Sequence, residues 1–359
     1  MDISEIYIKK CIDKILENIS KTNNGLIIAS PSRHNPDYFF HWIRDSAITM
    51  KAIINEYYKT NEKKYLEIIL KYVNAEYELT KLIPMGGLGE PKFNLNKTCF
   101  NEQWGRPQND GPALRGIIMI KIAKLLGKDY KYIVKNIILE IIENDYKYII
   151  KNLETPCFDL WEEINGFHFY TRLVMAKFIK EYIIFKQNIF KQDILNNKHF
   201  NRIKELIEHH FTSEKIISSF NIYGNIERYS DSSIFMGLNH IDYDNDILSH
   251  SNYYKIIKNT EELVSYFNNK YKMRKDMVGR YIDDSYYDGN IWIICTVSMI
   301  CFYKFIKRES LKMELIIDEI LHLNGDFNLN EQYNPKENYL LSASKLTWNY
   351  SEIYFYFNM

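Results

Sequence analysis

Proline and glycine are scarce in this chain, and where they fall restricts the fold more than any other feature. Eight Pro and fourteen Gly occur in 359 residues, gathered at Ser30-Pro31, Asn35-Pro36, Pro84 to Pro91, Gly105 to Pro112, Gly166 and Gly289. Both residues are costly inside helices, so the long stretches without them are open to helix. In those stretches apolar residues recur at helical spacing. Ile3, Ile6, Cys11, Ile15 and Ile19 mark a first helix. Further helices are expected over 42–57, 61–80, 112–126, 130–152, 165–186, 200–211, 231–238, 252–269, 290–307, 311–322 and 343–356. Few strands are expected, although 212–230 has room for a short hairpin. No Pro/Gly/Ser linker interrupts the pattern, so residues 1–359 read as one all-α domain. Helices in sequential hairpins suggest an α/α barrel, in which inner helices and their connecting loops enclose a central pocket. The loops are long and rich in aromatic residues, as functional loops of compact domains tend to be.

Charge and cysteine usage narrow the function. Lys+Arg and Asp+Glu balance at 46 each, so the net charge is zero. That balance argues against a nucleic-acid or acidic-membrane partner. Cys11, Cys99, Cys157, Cys295 and Cys301 form no C-x-x-C pair, so they read as buried free thiols in a reducing compartment. No metal site or cofactor motif is expected. The glycines of 86–89 lack the following G-K-[ST] of a phosphate loop. The D-x-x-x-x-G spacing after Asp284 lacks the closing Glu of a calcium loop. His209 and His210 are read as surface residues. The N-terminus has no basic region followed by an apolar one, and no apolar run approaches ~18 residues. The chain therefore reads as cytosolic, with no membrane span and with a monomer favoured.

Five loop motifs carry chemistry. In the first, Tyr38 and Trp42 offer flat faces for a sugar ring, and Arg44 and Asp45 offer a donor fork and an acceptor for hydroxyls. Asp45-Ser46 would equally suit a helix cap. The second holds Trp104, Arg106 and Asp110 on a loop before a helix, consistent with a lid. The third is Asp159-Leu160-Trp161-Glu162-Glu163. Trp161 would wall off water and Glu163 would add like charge, and both effects favour a protonated Glu162. In the fourth, Arg280 and Asp284 would hold hydroxyls while Tyr286, Tyr287 and Trp292 add stacking surface. The fifth sets Glu331 in an Asn330-Glu331-Gln332-Tyr333 loop, where a polar setting would keep it ionised. A protonated acid at Glu162 and an ionised base at Glu331 form the pair that glycosidic cleavage requires.

These motifs, in this order, resemble the glucoamylases, family 15 of the glycoside hydrolases. The strings N-P-D-Y-F, W-x-R-D-S, G-E-P-K-F-N, W-G-R-P-Q-x-D-G-P-A-L-R, D-L-W-E-E-x-N-G, G-R-Y, N-E-Q-Y and L-S-A-x-x-L-T-W span about residues 29–354. The resemblance implies an (α/α)6 barrel and an exo-acting, inverting hydrolase. Such an enzyme releases β-D-glucose from non-reducing ends of α-1,4-glucans, such as starch, glycogen or maltooligosaccharides, and more slowly from α-1,6 links. It implies Glu162 as general acid and Glu331 as general base, with Tyr38 near the catalytic water. Arg44, Asp45, Leu160, Glu163 and Arg280 would hold the terminal glucose and its neighbour, and Trp104 would stack at or beyond the cleavage point. Fungal members also carry a Ser/Thr-rich linker and a starch-binding domain, for which no segment is found here. Only about 40 residues separate Asn290 from Glu331, where those enzymes are longer, so one outer connection reads as trimmed. The alternative is an inactive glucan-binding or regulatory domain on the same fold.

Overall fold

The computed structural model describes residues 3–190, 197–273, 275–308 and 310–359. Its helices in chain order are α1 (Ile3–Ile19), α2 (Ile43–Thr60), α3 (Lys63–Leu79), α4 (Asp110–Leu126), α5 (Lys131–Ile133), α6 (Leu139–Lys151), α7 (Phe169–Phe190), α8 (Lys198–Glu208), α9 (Ser233–His240), α10 (Tyr253–Tyr271), α11 (Ile293–Phe305), α12 (Ser310–His322) and α13 (Thr347–Phe357). A π-helical stretch, Val134–Ile138, joins α5 to α6 without a break. Helix α2 packs on α4, α4 on α7, α7 on α9, α9 on α11, α11 on α13, and α13 back on α2. That closed ring is the inner layer. Helices α3, α6, α8, α10, α12 and α1 each back one inner helix, on α2, α4, α7, α9, α11 and α13 in turn. The fold is an (α/α)6 barrel, closed where α1 packs on α13.

Sequence character sorts the two layers. A helix covered on all sides must be apolar all round, whereas one facing water needs only a stripe. Every residue from Ile293 to Tyr303 of α11 is buried, whereas α8 buries only Ile203, Leu206 and Ile207. Close approach of α4 and α7 rests on Gly116, where a Cβ would lie 2.2 Å from the Phe178 ring. Gly127, at φ +52, ends α4 in a conformation that favours glycine.

Three small antiparallel sheets lie in the connections that lead into the inner helices. Strand β1 (His41–Trp42) pairs with β2 (Lys92–Phe93). Strands β3 (Cys157–Phe158), β4 (Asn165–His168), β5 (Ser219–Asn221) and β6 (Ile226–Arg228) form a second sheet in that order. Strands β7 (Ile291–Trp292), β8 (Gln332–Asn334) and β9 (Tyr339–Leu341) form the third.

The expected helices are all found, and the hairpin expected in 212–230 is β5–β6. Several details differ: Trp42 and Ile291–Trp292, expected at helix starts, are strand, and the last helix begins at Thr347. Residues 165–168 are strand, because Gly166 lies against β5: a Cβ there would fall 1.9 Å from the Phe220 carbonyl oxygen. Ile6 is 39% exposed, and Tyr7 takes its expected place in the core. His210 is buried, whereas His209 is exposed. Helix α8 ends at Glu208, so the chain has turned by His210. The His210 ring donates to the Ile217 carbonyl at 2.7 Å and accepts from Arg172 at 2.9 Å. Burial, with the Arg172 charge beside it, pushes its pKa well down.

Candidate active site

The N-terminal ends of the inner helices surround a cavity of about 440 Å³, within the range of small-ligand pockets. Tyr38, Trp42, Arg44, Asp45, Trp104, Leu160, Trp161, Glu162, Glu163, Arg280, Trp292 and Glu331 all line it. Asp284, Arg106, Asp110 and Tyr287, also expected at the site, are not part of the lining. Both Asp284 oxygens accept from the Arg280 guanidinium, at 2.7 and 2.8 Å, and one also accepts from the Tyr286 backbone N–H. Asp284 therefore aims Arg280 and does not itself line the cavity. Arg106 likewise turns away, donating to Glu90 and to the Glu102 and Phe100 carbonyls. Tyr287 lies outside the lining, while Tyr286 is part of it.

Glu162 sits in the turn between β3 and β4. Asp159 organises that turn: its side chain accepts from the Glu163 and Ile164 N–H groups at 2.7 and 2.9 Å, and its carbonyl accepts from Glu162 N–H at 2.9 Å. The turn places Glu162 at φ +67, in the left-handed region that non-glycine residues avoid. Its Oε1 accepts from Trp42 Nε1 and Gln108 Nε2, both at 2.9 Å, with an Arg44 nitrogen 3.9 Å away. Trp161 and Glu163, the two neighbours expected to act on Glu162, line the same cavity and have polar partners of their own. Trp161 directs its N–H to Asp231, at 3.0 Å. Glu163 is held by Arg280 at 2.8 Å, Arg228 at 2.9 Å and the Tyr281 hydroxyl at 2.5 Å.

Glu331 precedes β8 and is anchored at its backbone by Ala343 and Ile293. Glu331 is 2% exposed, so the polar loop expected to keep it ionised is instead a buried wall of the pocket. Burial pushes its carboxyl up to about 7, against the opposing pull of Ser342, Tyr38 and Arg280. The Ser342 hydroxyl donates to Oε2 at 2.5 Å. Tyr38 is within electrostatic reach of both candidate carboxyls: burial pushes its phenol well up, and Glu331, Tyr286 and Glu162 add to the shift.

The floor is the first turn of α2. The Arg44 guanidinium donates to Gln108 at 2.9 Å and Asp110 at 3.1 Å and lies 5.5 Å from the Trp348 ring centroid. Burial lifts the Asp45 carboxyl to about 6 despite Arg44 beside it, with Glu162 and Asp110 adding to the rise. Trp104 Nε1 and Trp292 Nε1 are buried with no hydrogen-bond partner among the described residues, and Arg44 Nε and Asp45 Oδ2, also without a hydrogen bond, make a 3.4 Å ion pair with each other. Such groups are costly unless a ligand satisfies them. Both polarities are present and aromatic faces flank them, as a polyhydroxylated ring requires. Helix α2 begins at Ile43 with Trp42 as its cap residue, so Asp45 is no cap. Sequence reasoning gave no role to Gln108, Ser342 or Trp348, although each lies inside a quoted motif.

A second cavity, of about 290 Å³, opens at the opposite end of the barrel. Its carboxylates are already taken: Asp242 by Lys51 and Lys121, Glu352 by His240 and Trp348.

An (α/α)6 barrel with two carboxyls and unpartnered polar groups in one pocket defines a carbohydrate-acting architecture. The chain belongs to the family described as glycosyl hydrolases family 15, which it matches over residues 4–328. That span ends just short of Glu331. Glucoamylase-1 of Arthroderma benhamiae is 30% identical over 311 residues, which is 79% of this chain and 50% of the relative. The intracellular sporulation-specific glucoamylase of Saccharomyces cerevisiae is 37% identical over 191 residues, covering 46% of this chain and 34% of its own length. The Hormoconis resinae glucoamylase structure superposes with a TM-score of 0.85 at 25% identity, covering 99% of this chain and 73% of that one. The chain thus spans about half the length, or less, of these curated relatives.

Proposed function

We propose that this chain is an exo-acting, inverting glucan hydrolase that releases β-D-glucose from non-reducing ends of α-1,4-linked and, more slowly, α-1,6-linked glucans. The observation that carries the reading is the pairing of Glu162 and Glu331 on one cavity, from different loops and in different settings. Glu162, among N–H donors at the pocket wall, protonates the glycosidic oxygen as the bond to the anomeric carbon breaks. Glu331, buried and hydrogen-bonded by Ser342, takes a proton from a water as that water attacks the same carbon. Tyr38, beside both carboxyls, helps to place the water. Arg44, Asp45 and Arg280 take hydroxyls of the terminal glucose, and Leu160 and Trp161 wall its ring. Trp104 stacks on the next residue. The exo mode is supported by the floor that Arg44, Asp45, Ile294 and Trp348 form: a chain enters by its end and does not pass through.

The test is glucose release from maltooligosaccharides, with proton NMR of the anomeric signal in the first minutes. Initial β-glucose supports the reading. Initial α-glucose would mean a covalent intermediate and would overturn the roles given to the two carboxyls. Glu162→Gln should lower turnover by ~10²–10⁴-fold, the usual contribution of general acid catalysis. Wild-type protein that binds maltooligosaccharide without turnover would decide for a binding or regulatory domain.

A further inference from the structure

Lys92 lies in β2 directly opposite Trp42 of β1 and is 2% exposed. Its ammonium is enclosed by four aromatic rings. Their centroids lie 3.2 Å away for Trp104, 4.1 Å for Phe100 and 4.6 Å for both Phe40 and Trp42. The rings form a four-sided box. Phe40 meets Trp42 at 86°, Trp42 meets Trp104 at 66°, Trp104 meets Phe100 at 90° and Phe100 meets Phe40 at 75°, with centroids 5.2–6.2 Å apart. Edge-to-face rings around a cation direct their negative faces inward, and desolvation strengthens each cation–π contact. Among the described residues no carboxylate lies within 4.0 Å of the ammonium, so the rings are its main partners.

Two walls of the box do further work. Trp42 gives its N–H to Glu162, and Trp104 lines the pocket with its own N–H unpartnered. An apolar side chain would fill the box at lower desolvation cost. The presence of a charge there calls for a role that packing does not supply. We propose that Lys92 is a positioning residue of the glucan site. Its caged ammonium fixes the Trp42 and Trp104 walls and places a positive charge beside Glu162. The role rests on the hydrolase reading above but does not follow from it, because Lys92 is outside the pocket lining.

The surrounding charges are consistent with this. Burial pulls the Lys92 ammonium down to about 8, opposed by Glu162, Asp37 and Glu102 and reinforced by Arg106. His41, next to Trp42 on β1, faces the other way and pairs with Glu76 at 2.9 Å. Glu162 comes from the β3–β4 turn, Asp37 from the loop before β1, and Glu102 and Arg106 from the loop before α4.

The test uses Lys92→Met and Lys92→Arg in the full chain, with melting temperature, kcat and KM across pH, and tryptophan emission. Lys92→Met should melt no lower than the wild type, since a buried charge is removed. Its kcat/KM should fall roughly tenfold to a hundredfold, the scale of an ångström-level misplacement of a reacting group. The alkaline limb of its rate profile should move to higher pH, because a cation near Glu162 is gone, and Lys92→Arg should recover part of both effects. Wild-type emission should also step as the ammonium deprotonates, and this step should be absent from Lys92→Met. An active wild type with unchanged kinetics in Lys92→Met would overturn the proposal. So would equal loss in both variants together with a lowered melting temperature. A wild type without hydrolysis would sink the hydrolase reading instead, and the emission step would then decide on the cage: its absence overturns the proposal.

Discussion

Replacing Ser342 by Ala isolates one interaction of the candidate base. Ser342 follows β9 at φ +66, and its hydroxyl donates to Glu331 Oε2 at 2.5 Å. Alanine keeps the Cβ and the backbone and removes only that donor. A hydrogen bond to a charged acceptor contributes ~1.5–3 kcal/mol, and one pKa unit is ~1.4 kcal/mol. The uncompensated effect is therefore about one to two units. Tyr38 and Arg280 still oppose burial at Glu331, so about one unit is expected. The sign follows from what the hydroxyl stabilises. It favours the carboxylate, so its loss raises a pKa that burial has already lifted to about 7. The proposed reaction needs the carboxylate. The acid limb of kcat/KM should therefore move to higher pH by about one unit, while the alkaline limb stays in place. The assay is glucose release from maltotriose well below KM across the pH range, with melting temperature as a check on folding. An acid limb that moves by less than ~0.3 unit, under about 0.5 kcal/mol, would refute the assignment of Glu331 as base. So would movement of the alkaline limb alone.

Three further outcomes follow from the same geometry. Glu331→Gln should raise the melting temperature at pH 8 more than at pH 4. A carboxyl whose pKa is higher folded than unfolded destabilises the fold once ionised, here by ~1–3 kcal/mol above pH 7, and not below its unfolded pKa; an equal change at both pH values would contradict the raised pKa. Arg115 is 2% exposed and pairs with Asp145 at 2.6 and 2.9 Å and with Glu76 at 3.3 Å, so Arg115→Leu leaves the buried Asp145 carboxylate uncompensated, while Glu76 keeps His41, and should cost ~3–5 kcal/mol in denaturant unfolding. Trp42→Phe removes one of the two N–H donors to Glu162 and should lower kcat about tenfold with little change in melting temperature; an unchanged kcat would detach Trp42 from the acid.

The barrel was legible because burial on both faces leaves a mark in sequence. Eleven consecutive buried residues in α11 read as a helix with no solvent side, and the scarcity of Gly and Pro elsewhere leaves few other folds. The small sheets were harder to see. Strand β4 is four residues long and is defined by partners in β3 and β5, which no local period reveals, so 165–168 was read as the start of a helix. The motifs placed most site residues in one pocket without fixing their partners. Asp284 and Glu331 show the difference. Both are acids in polar loops, yet one spends its oxygens on Arg280, and the other loses its water to the packing of β7, β8 and β9. His210 is a similar case, since the turn after α8 that buries it carries no sequence signal of its own.

The barrel geometry also accounts for the location of the site. Six inner helices end with their N-termini around one pocket, and helix N-termini favour negative charge. Asp45 and Asp110 occupy the first turns of α2 and α4, and Asp231 accepts from Ser233 N–H at the start of α9, at 2.7 Å. These acids then bind cations: Arg44 rests on Asp110, and Arg228 bridges Asp159, Glu163 and Asp231. The buried charges are thereby largely neutralised, and the remainder is selective: the Trp104 and Trp292 N–H groups have no hydrogen-bond partner among the described residues, and Asp45 Oδ2 has only its 3.4 Å ion pair with Arg44. Glu162 is carried by the element least constrained by the helices, a turn in a left-handed conformation that costs of order 1–3 kcal/mol. Asp159 holds that turn from below, while Trp42 and Gln108 hold its side chain from above. The helices thus provide a fixed binding floor, and left-handed backbone is carried by the loops, at Glu162, proposed to deliver the proton, and at Ser342, which holds the proposed base.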